Sequence, residues 1–211
     1  MKKIFSYLSL LVGVTITLLF LGCGANQFNM VKPANHVLSS TKDSVHVSLR
    51  GDVADFQYEY FLQTLLCMEQ RNVKSLHIHL FTPGGSAVSM IAITDVLETY
   101  KEKGIHITTY ANGACLSAGV PIFLMGDVRI MRPNAQLMIH PMGGLPHKES
   151  VNSETWAVFE AWKYVYIDIL TRVTKITGKE ALAMLTGSDK DDLTWFGAFE
   201  ALKLGFATDI K

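Results

Sequence analysis

Two glycine-bearing stretches of this chain have the residue types and spacing for chemistry: "TPGGSAV" over residues 82–88 and "NGACLSAGVP" over residues 112–121. Each is expected where a strand gives way to a helix. Glycine there lets the backbone turn tightly and brings bare N–H groups close to a ligand, which suits an anion or a developing oxyanion. The second stretch also presents Ser117 at the expected start of a helix, where the positive end of the helix favours negative charge. The plainer readings are an N-cap serine and a pair of turn glycines. Cys115 is an alternative nucleophile, since an ionised thiolate is more reactive than a hydroxyl. It also stands where the G-x-S-x-G elbow of α/β-hydrolases has its first glycine, which disfavours that fold. His77 and His79 lie two apart on an expected strand and share a face, as a metal pair would, but no third ligand follows from spacing.

The elements that must position these residues alternate. "VHVSLRG" (residues 45–51) reads as a strand, residues 56–69 as a helix and "SLHIHLF" (75–81) as a second strand. After the first glycine turn, Met90, Ile93, Leu97 and Tyr100 mark one stripe of a helix over 86–101. "IHITTYA" (105–111) is a third strand, and a short helix is expected from Ser117 to Met125. "DVRIM" and "AQLMIH" are two further short strands. Such alternation implies a mainly parallel α/β sheet with its ligand site at the carboxyl ends of the strands. A long helix is expected from Ser153 to Thr177, closed by Gly178. It carries more apolar surface than one seam buries, either as a core helix or as a face that meets another subunit.

A chain of 211 residues suits one catalytic-size domain. Nineteen basic residues balance nineteen acidic ones without a Lys/Arg run, so the electrostatic footprint of a nucleic-acid binder is missing. Lys2 and Lys3 precede a nearly unbroken apolar run from Leu8 to Leu21, the pattern of an export signal. Gly22 followed by Cys23 resembles the lipobox of bacterial lipoproteins, in which the cysteine is lipidated and becomes the mature terminus. The alternatives are an ordinary signal peptide and a retained membrane anchor. Residues 1–23 are therefore expected to be a signal, 24–44 an irregular tether and 45–211 the folded domain. The remaining cysteines, Cys67 and Cys115, lie in apolar surroundings where buried free thiols are common.

The combination of a strand with "PGG" and a helix, a G-x-x-x-S-x-G turn, and "PNAQLMIHPMGG" resembles the Clp peptidase proteolytic subunit, within the crotonase-like fold. The likeness runs from about Val45 to Asp209. It implies an α/β crotonase-like fold of repeated strand-turn-helix units, with the long C-terminal helix as a handle between stacked heptameric rings. It also implies a triad built from Ser117, His140 and a later aspartate, with the N–H groups of Gly85 and Ala118 as oxyanion donors. The final segment "DDLTWFGAFEALKLGFATDI" is similar to the family's end and carries one extra residue, which makes Asp192 the choice for the acid, Asp191 the alternative, and Leu193 the position of an ungapped match.

The expected activity is that of a serine endopeptidase acting on short or unfolded polypeptides through an acyl-enzyme, with no metal or organic cofactor. The expected assembly is a homo-oligomeric ring, held at the membrane through the amino terminus and located in the bacterial cell envelope. Clp peptidases receive substrate from an ATP-driven unfoldase, a doubtful partner for an exported chain that would lack ATP. The other readings are a non-proteolytic crotonase-like enzyme polarising an acyl-CoA thioester, and an inactive envelope scaffold.

Overall fold

The computed structural model describes residues 37–141, 152–186 and 193–211. The expected export signal, Cys23, Asp191 and Asp192 lie outside the described residues. Strands β1 (Val37–Ser40), β2 (Ser44–Arg50), β3 (Ser75–Thr82), β4 (His106–Leu116), β5 (Val128–Met131), β6 (Gln136–Ile139), β7 (Thr194–Gly197) and β8 (Asp209–Ile210) form one sheet. Its main path runs β1-β2-β3-β4-β5-β8, with β6 and then β7 branching from β4. Pairings along the path are parallel apart from the β1–β2 hairpin, and β6 pairs antiparallel with β7.

Strict alternation in the sequence sets the two faces of this sheet. Val45, Val47 and Leu49 of β2, with Leu76, Ile78 and Leu80 of β3, are buried. The residues between them, including His46, His77 and His79, are half-buried on the other face, as the period of two in a strand requires. Helix α1 (Asp55–Gln70) adds Phe61, Leu65 and Met68 to the same core, and α2 (Ala87–Glu102) adds Met90, Ile93 and Leu97. Ser86 caps α2, its side-chain oxygen accepting the Ser89 N–H at 3.2 Å.

The structure departs from the expected elements in four places. Part of the expected tether is β1, joined to β2 by a tight turn in which Thr41 Oγ1 accepts the N–H groups of Asp43 and Ser44. β4 does not end at Ala111. Gly113, at φ +84°, bends the strand so that it continues to Leu116, its first half paired with β5 and its second with β6. The next helix, α3 (Gly119–Leu124), begins two residues after Ser117, so that serine belongs to the turn and not to the helix.

The fourth departure lies in the C-terminal third. The long helix α4 (Ser153–Val173) stops before Thr177, and Gly178 opens the separate helix α5 (Gly178–Thr186). Thr177 and Glu180 form a reciprocal cap there: the Glu180 carboxylate accepts the Thr177 N–H at 2.8 Å, and Thr177 Oγ1 accepts the Glu180 N–H at 3.3 Å. The last helix, α6 (Ala198–Leu204), leads into β8. Arg129 of β5 fastens this end by donating to the carbonyls of Phe206, Gly205 and Gly126.

Candidate active site

The two glycine stretches meet. Thr82, at the end of β3, accepts the Gly84 N–H on its hydroxyl at 3.0 Å and closes the first turn. Val53 clasps the same turn from outside, donating its N–H to the Gly84 carbonyl at 2.7 Å and accepting the Ser86 N–H at 2.9 Å. The Gly85 N–H between these two bonds donates to no acceptor among the described residues. A Cβ on Gly84 (φ +104°) would lie 2.6 Å from the Ser117 Cβ, and one on Gly85 (φ +150°) 2.4 Å from the Val53 carbonyl oxygen. Both approaches require glycine.

Ser117 closes the second stretch in the left-handed region, at φ +52°, an uncommon conformation for a residue with a side chain. Its N–H donates to the Met138 carbonyl of β6 at 2.7 Å. Its carbonyl accepts the Val120 N–H at 3.0 Å and the hydroxyl of Tyr166, from α4, at 2.9 Å. The Ala118 N–H, which follows, has no acceptor among the described residues. The expected helix start at Ser117 is thus replaced by a sharp strand-to-helix turn that turns the hydroxyl out of the backbone ladder.

His140 follows β6 and reaches this hydroxyl, with Nε2 2.8 Å from Ser117 Oγ. Its other nitrogen, Nδ1, is hydrogen-bonded to the Pro141 carbonyl. A carbonyl oxygen only accepts, so Nδ1 carries the proton and Nε2 is left to accept from the serine. This is the tautomer of a general base. Register also brings the end of the chain here: Thr194 of β7 lies opposite Ile139. Leu193 is described and exposed, and its side chain has no acid to offer.

The other candidates fall elsewhere. Cys115 is fully buried, its Sγ donates to the Gly119 carbonyl at 3.3 Å, and burial pushes the thiol far above its ordinary pKa. It is held neutral, which is the wrong state for a nucleophile. His77 and His79 belong to an aromatic array across β2, β3 and β4. His46 stacks on His77 at 4.1 Å between centroids and His79 on Tyr110 at 4.4 Å, while His46 Nδ1 and His79 Nε2 are 3.4 Å apart. Tyr166 is the site residue that sequence reading missed. Its ring is one of many apolar side chains on the expected long helix, and no local signal ties it to a serine 49 positions away.

The chain resembles known proteins over most of its length. A family model described as Clp protease matches residues 31–211. The ATP-dependent Clp protease proteolytic subunit of Streptococcus pyogenes serotype M1 is 30% identical over 175 residues, covering 80% of this chain and 85% of that protein. The subunit of the same name from Streptococcus equi subsp. zooepidemicus matches to the same extent. Among solved structures, a ClpP1 mutant from Listeria monocytogenes superposes with a TM-score of 0.63 at 21% identity, covering 79% of this chain and 90% of the other. A mutant of a membrane-bound stomatin-specific protease gives 0.61 at 20% identity, covering 82% and 81%. These two share the fold.

Proposed function

The chain belongs to the Clp protease family, and from that premise we propose that it is a serine endopeptidase that cuts short or unfolded polypeptides through an acyl-enzyme on Ser117. The observation that carries this reading is the 2.8 Å contact from His140 Nε2 to Ser117 Oγ, with Nδ1 of the same ring bound to a carbonyl. Ser117 Oγ attacks the scissile carbonyl carbon as its proton passes to His140 Nε2. The oxygen of that carbonyl becomes an oxyanion and accepts from the Gly85 and Ala118 N–H groups. One such donor is worth about 10²–10³ in rate in a comparable site. The intermediate collapses, His140 protonates the leaving amine, and water then repeats the sequence on the acyl-enzyme with the same base.

Asp192 is the proposed acid. Support comes from the β6–β7 register: Thr194, two residues downstream, is opposite Ile139, next to His140. A carboxylate near Nδ1 would stabilise the imidazolium formed during attack more strongly than a neutral carbonyl does. Family membership favours peptide hydrolysis over acyl-CoA chemistry and over a scaffold without activity.

The proposal extends to location and assembly. Residues 1–23 direct export, Cys23 carries lipid, and the enzyme works at the bacterial cell envelope; the support is the charged-then-apolar pattern that ends at Cys23. Among the described residues no helix is long and apolar enough to cross a membrane. The relatives are named ATP-dependent; an exported chain has no ATP supply, so its substrates are peptides that need no unfoldase. A homo-oligomeric ring is supported by exposed apolar side chains on α4, Val158 and Tyr164, and by Phe199 on α6, 77% exposed.

A fluorophosphonate probe tests the nucleophile. Labelling of the full chain should vanish in Ser117→Ala and persist in Cys115→Ala. Equal labelling of wild type and Ser117→Ala rejects the assignment, and loss in Cys115→Ala alone transfers it to the cysteine.

A further inference from the structure

The peptide group between Ser117 and Ala118 contains both the carbonyl that Tyr166 holds and the N–H assigned above to the oxyanion. A trans peptide is planar, so its C=O and N–H point in opposite directions and turn together. Whatever fixes the Ser117 carbonyl therefore aims the Ala118 N–H. Two groups fix it: the Val120 N–H at 3.0 Å, from within the same turn, and the Tyr166 hydroxyl at 2.9 Å, from a helix 49 positions along the chain.

The local bond alone is a weak guarantee. Ser117 is held at φ +52°, where a side chain is disfavoured, so the turn relaxes toward an ordinary conformation unless its surroundings over-determine it. Its N–H is anchored to Met138 of β6. On the carbonyl side, the anchor outside the turn is Tyr166. The Tyr166 ring is only 5% exposed, so its position is set by core packing, and burial keeps the phenol protonated and therefore a donor.

We propose that Tyr166 is a positioning residue: its hydroxyl, by gripping the Ser117 carbonyl, sets the direction of the Ala118 N–H and so completes the oxyanion hole. This rests on the reading of Ser117 as nucleophile. It predicts a defect confined to states that carry charge on the substrate oxygen. Ground-state binding of peptide does not use that N–H and is left alone.

The variant is Tyr166→Phe in the full chain, which removes one oxygen and retains the ring. The Ser117 carbonyl keeps the Val120 N–H, so no backbone group is stranded. Tyr100→Phe, which removes a hydroxyl bonded to Glu69 at 3.2 Å, is the control for loss of a core phenol at a remote place. Kinetics on a short fluorogenic peptide, with active sites counted by titration, should show kcat lower by about ten- to a hundredfold and KM within about twofold, because a donor is misaimed and not deleted. A peptide boronate, whose tetrahedral adduct on serine puts an oxygen in the oxyanion position, should bind more weakly by about the same factor. Tyr100→Phe should leave both unchanged.

Wild-type kcat per active site in Tyr166→Phe, with Ser117→Ala inert, overturns the role of Tyr166 and leaves the nucleophile standing. A rise in KM with kcat unchanged also overturns it, since that pattern marks a general loosening of the binding site. Activity retained in Ser117→Ala removes the nucleophile reading and this inference with it.

Discussion

Replacing His77 by glutamine should make the fold less sensitive to acid, by an amount that follows from the array on the half-buried face of the sheet. His77 stacks on His46 with rings 3° from parallel, and its Nδ1 lies 3.1 Å from the Tyr110 hydroxyl. Burial, and then the charge that His46, His79 and His106 carry when protonated, lower its pKa to about 4 from an ordinary value of 6.5. The unfolded chain therefore takes up a proton on this residue before the folded one does. The stability it contributes is complete above pH 6.5 and is lost as the pH falls through 4. At pH 5 a fully shielded site would lose about 2 kcal/mol; this ring is roughly half exposed, which reduces the figure to about 1 kcal/mol. Urea unfolding at fixed protein concentration, at pH 8 and pH 5, gives the comparison for wild type and His77→Gln. Wild type should lose about 1 kcal/mol more than the variant over that interval. Parallel losses in the two proteins would refute the reasoning, because glutamine does not titrate.

Gly84→Ala forces a side chain to φ +104° with its Cβ 2.6 Å from that of Ser117; it should destabilise the fold by roughly 2–4 kcal/mol and abolish fluorophosphonate labelling of the protein that remains folded, as thermal unfolding and in-gel fluorescence will show. Asp192→Asn should cut kcat for peptide hydrolysis by about four orders of magnitude while Asp191→Asn stays within a few-fold of wild type; the opposite result moves the acid by one residue. Intact-mass measurement of the mature protein should find a lipidated Cys23 as its first residue, and Cys23→Ala should lack the lipid. Light scattering on protein without residues 1–23 should give an assembly larger than a dimer.

Much of the architecture could be read from one dimension because its signals are local. The alternation in "SLHIHLF" decides both that β3 is a strand and which side chains face the core. The i, i+3, i+7 stripe of α2 does the same for a helix. Where reading failed, two local signals competed. Gly178 carries the local signal of a helix end, yet Thr177 and Glu180 form a capping box around it, and that box is the legible sign of a new start. The apolar strand pattern ends at Ala111, but pairing with β6 carries β4 on to Leu116, and a partner strand that begins only at Gln136 is invisible to any local window.

The sequence by itself determined the two glycine turns and supplied the serine and the histidine, since residue type and spacing set what a turn can adopt and what a side chain can donate; the fold family followed from the resemblance those motifs carry. Tertiary structure alone decided the conformation that brings the serine and the histidine within hydrogen-bond reach. The left-handed backbone of Ser117 is unfavourable locally and exists because Met138, from the neighbouring strand, and Tyr166, from a distant helix, hold its two sides. The buried neutrality of Cys115 is likewise a property of its surroundings, because desolvation depends on which atoms the folded chain packs around the sulfur.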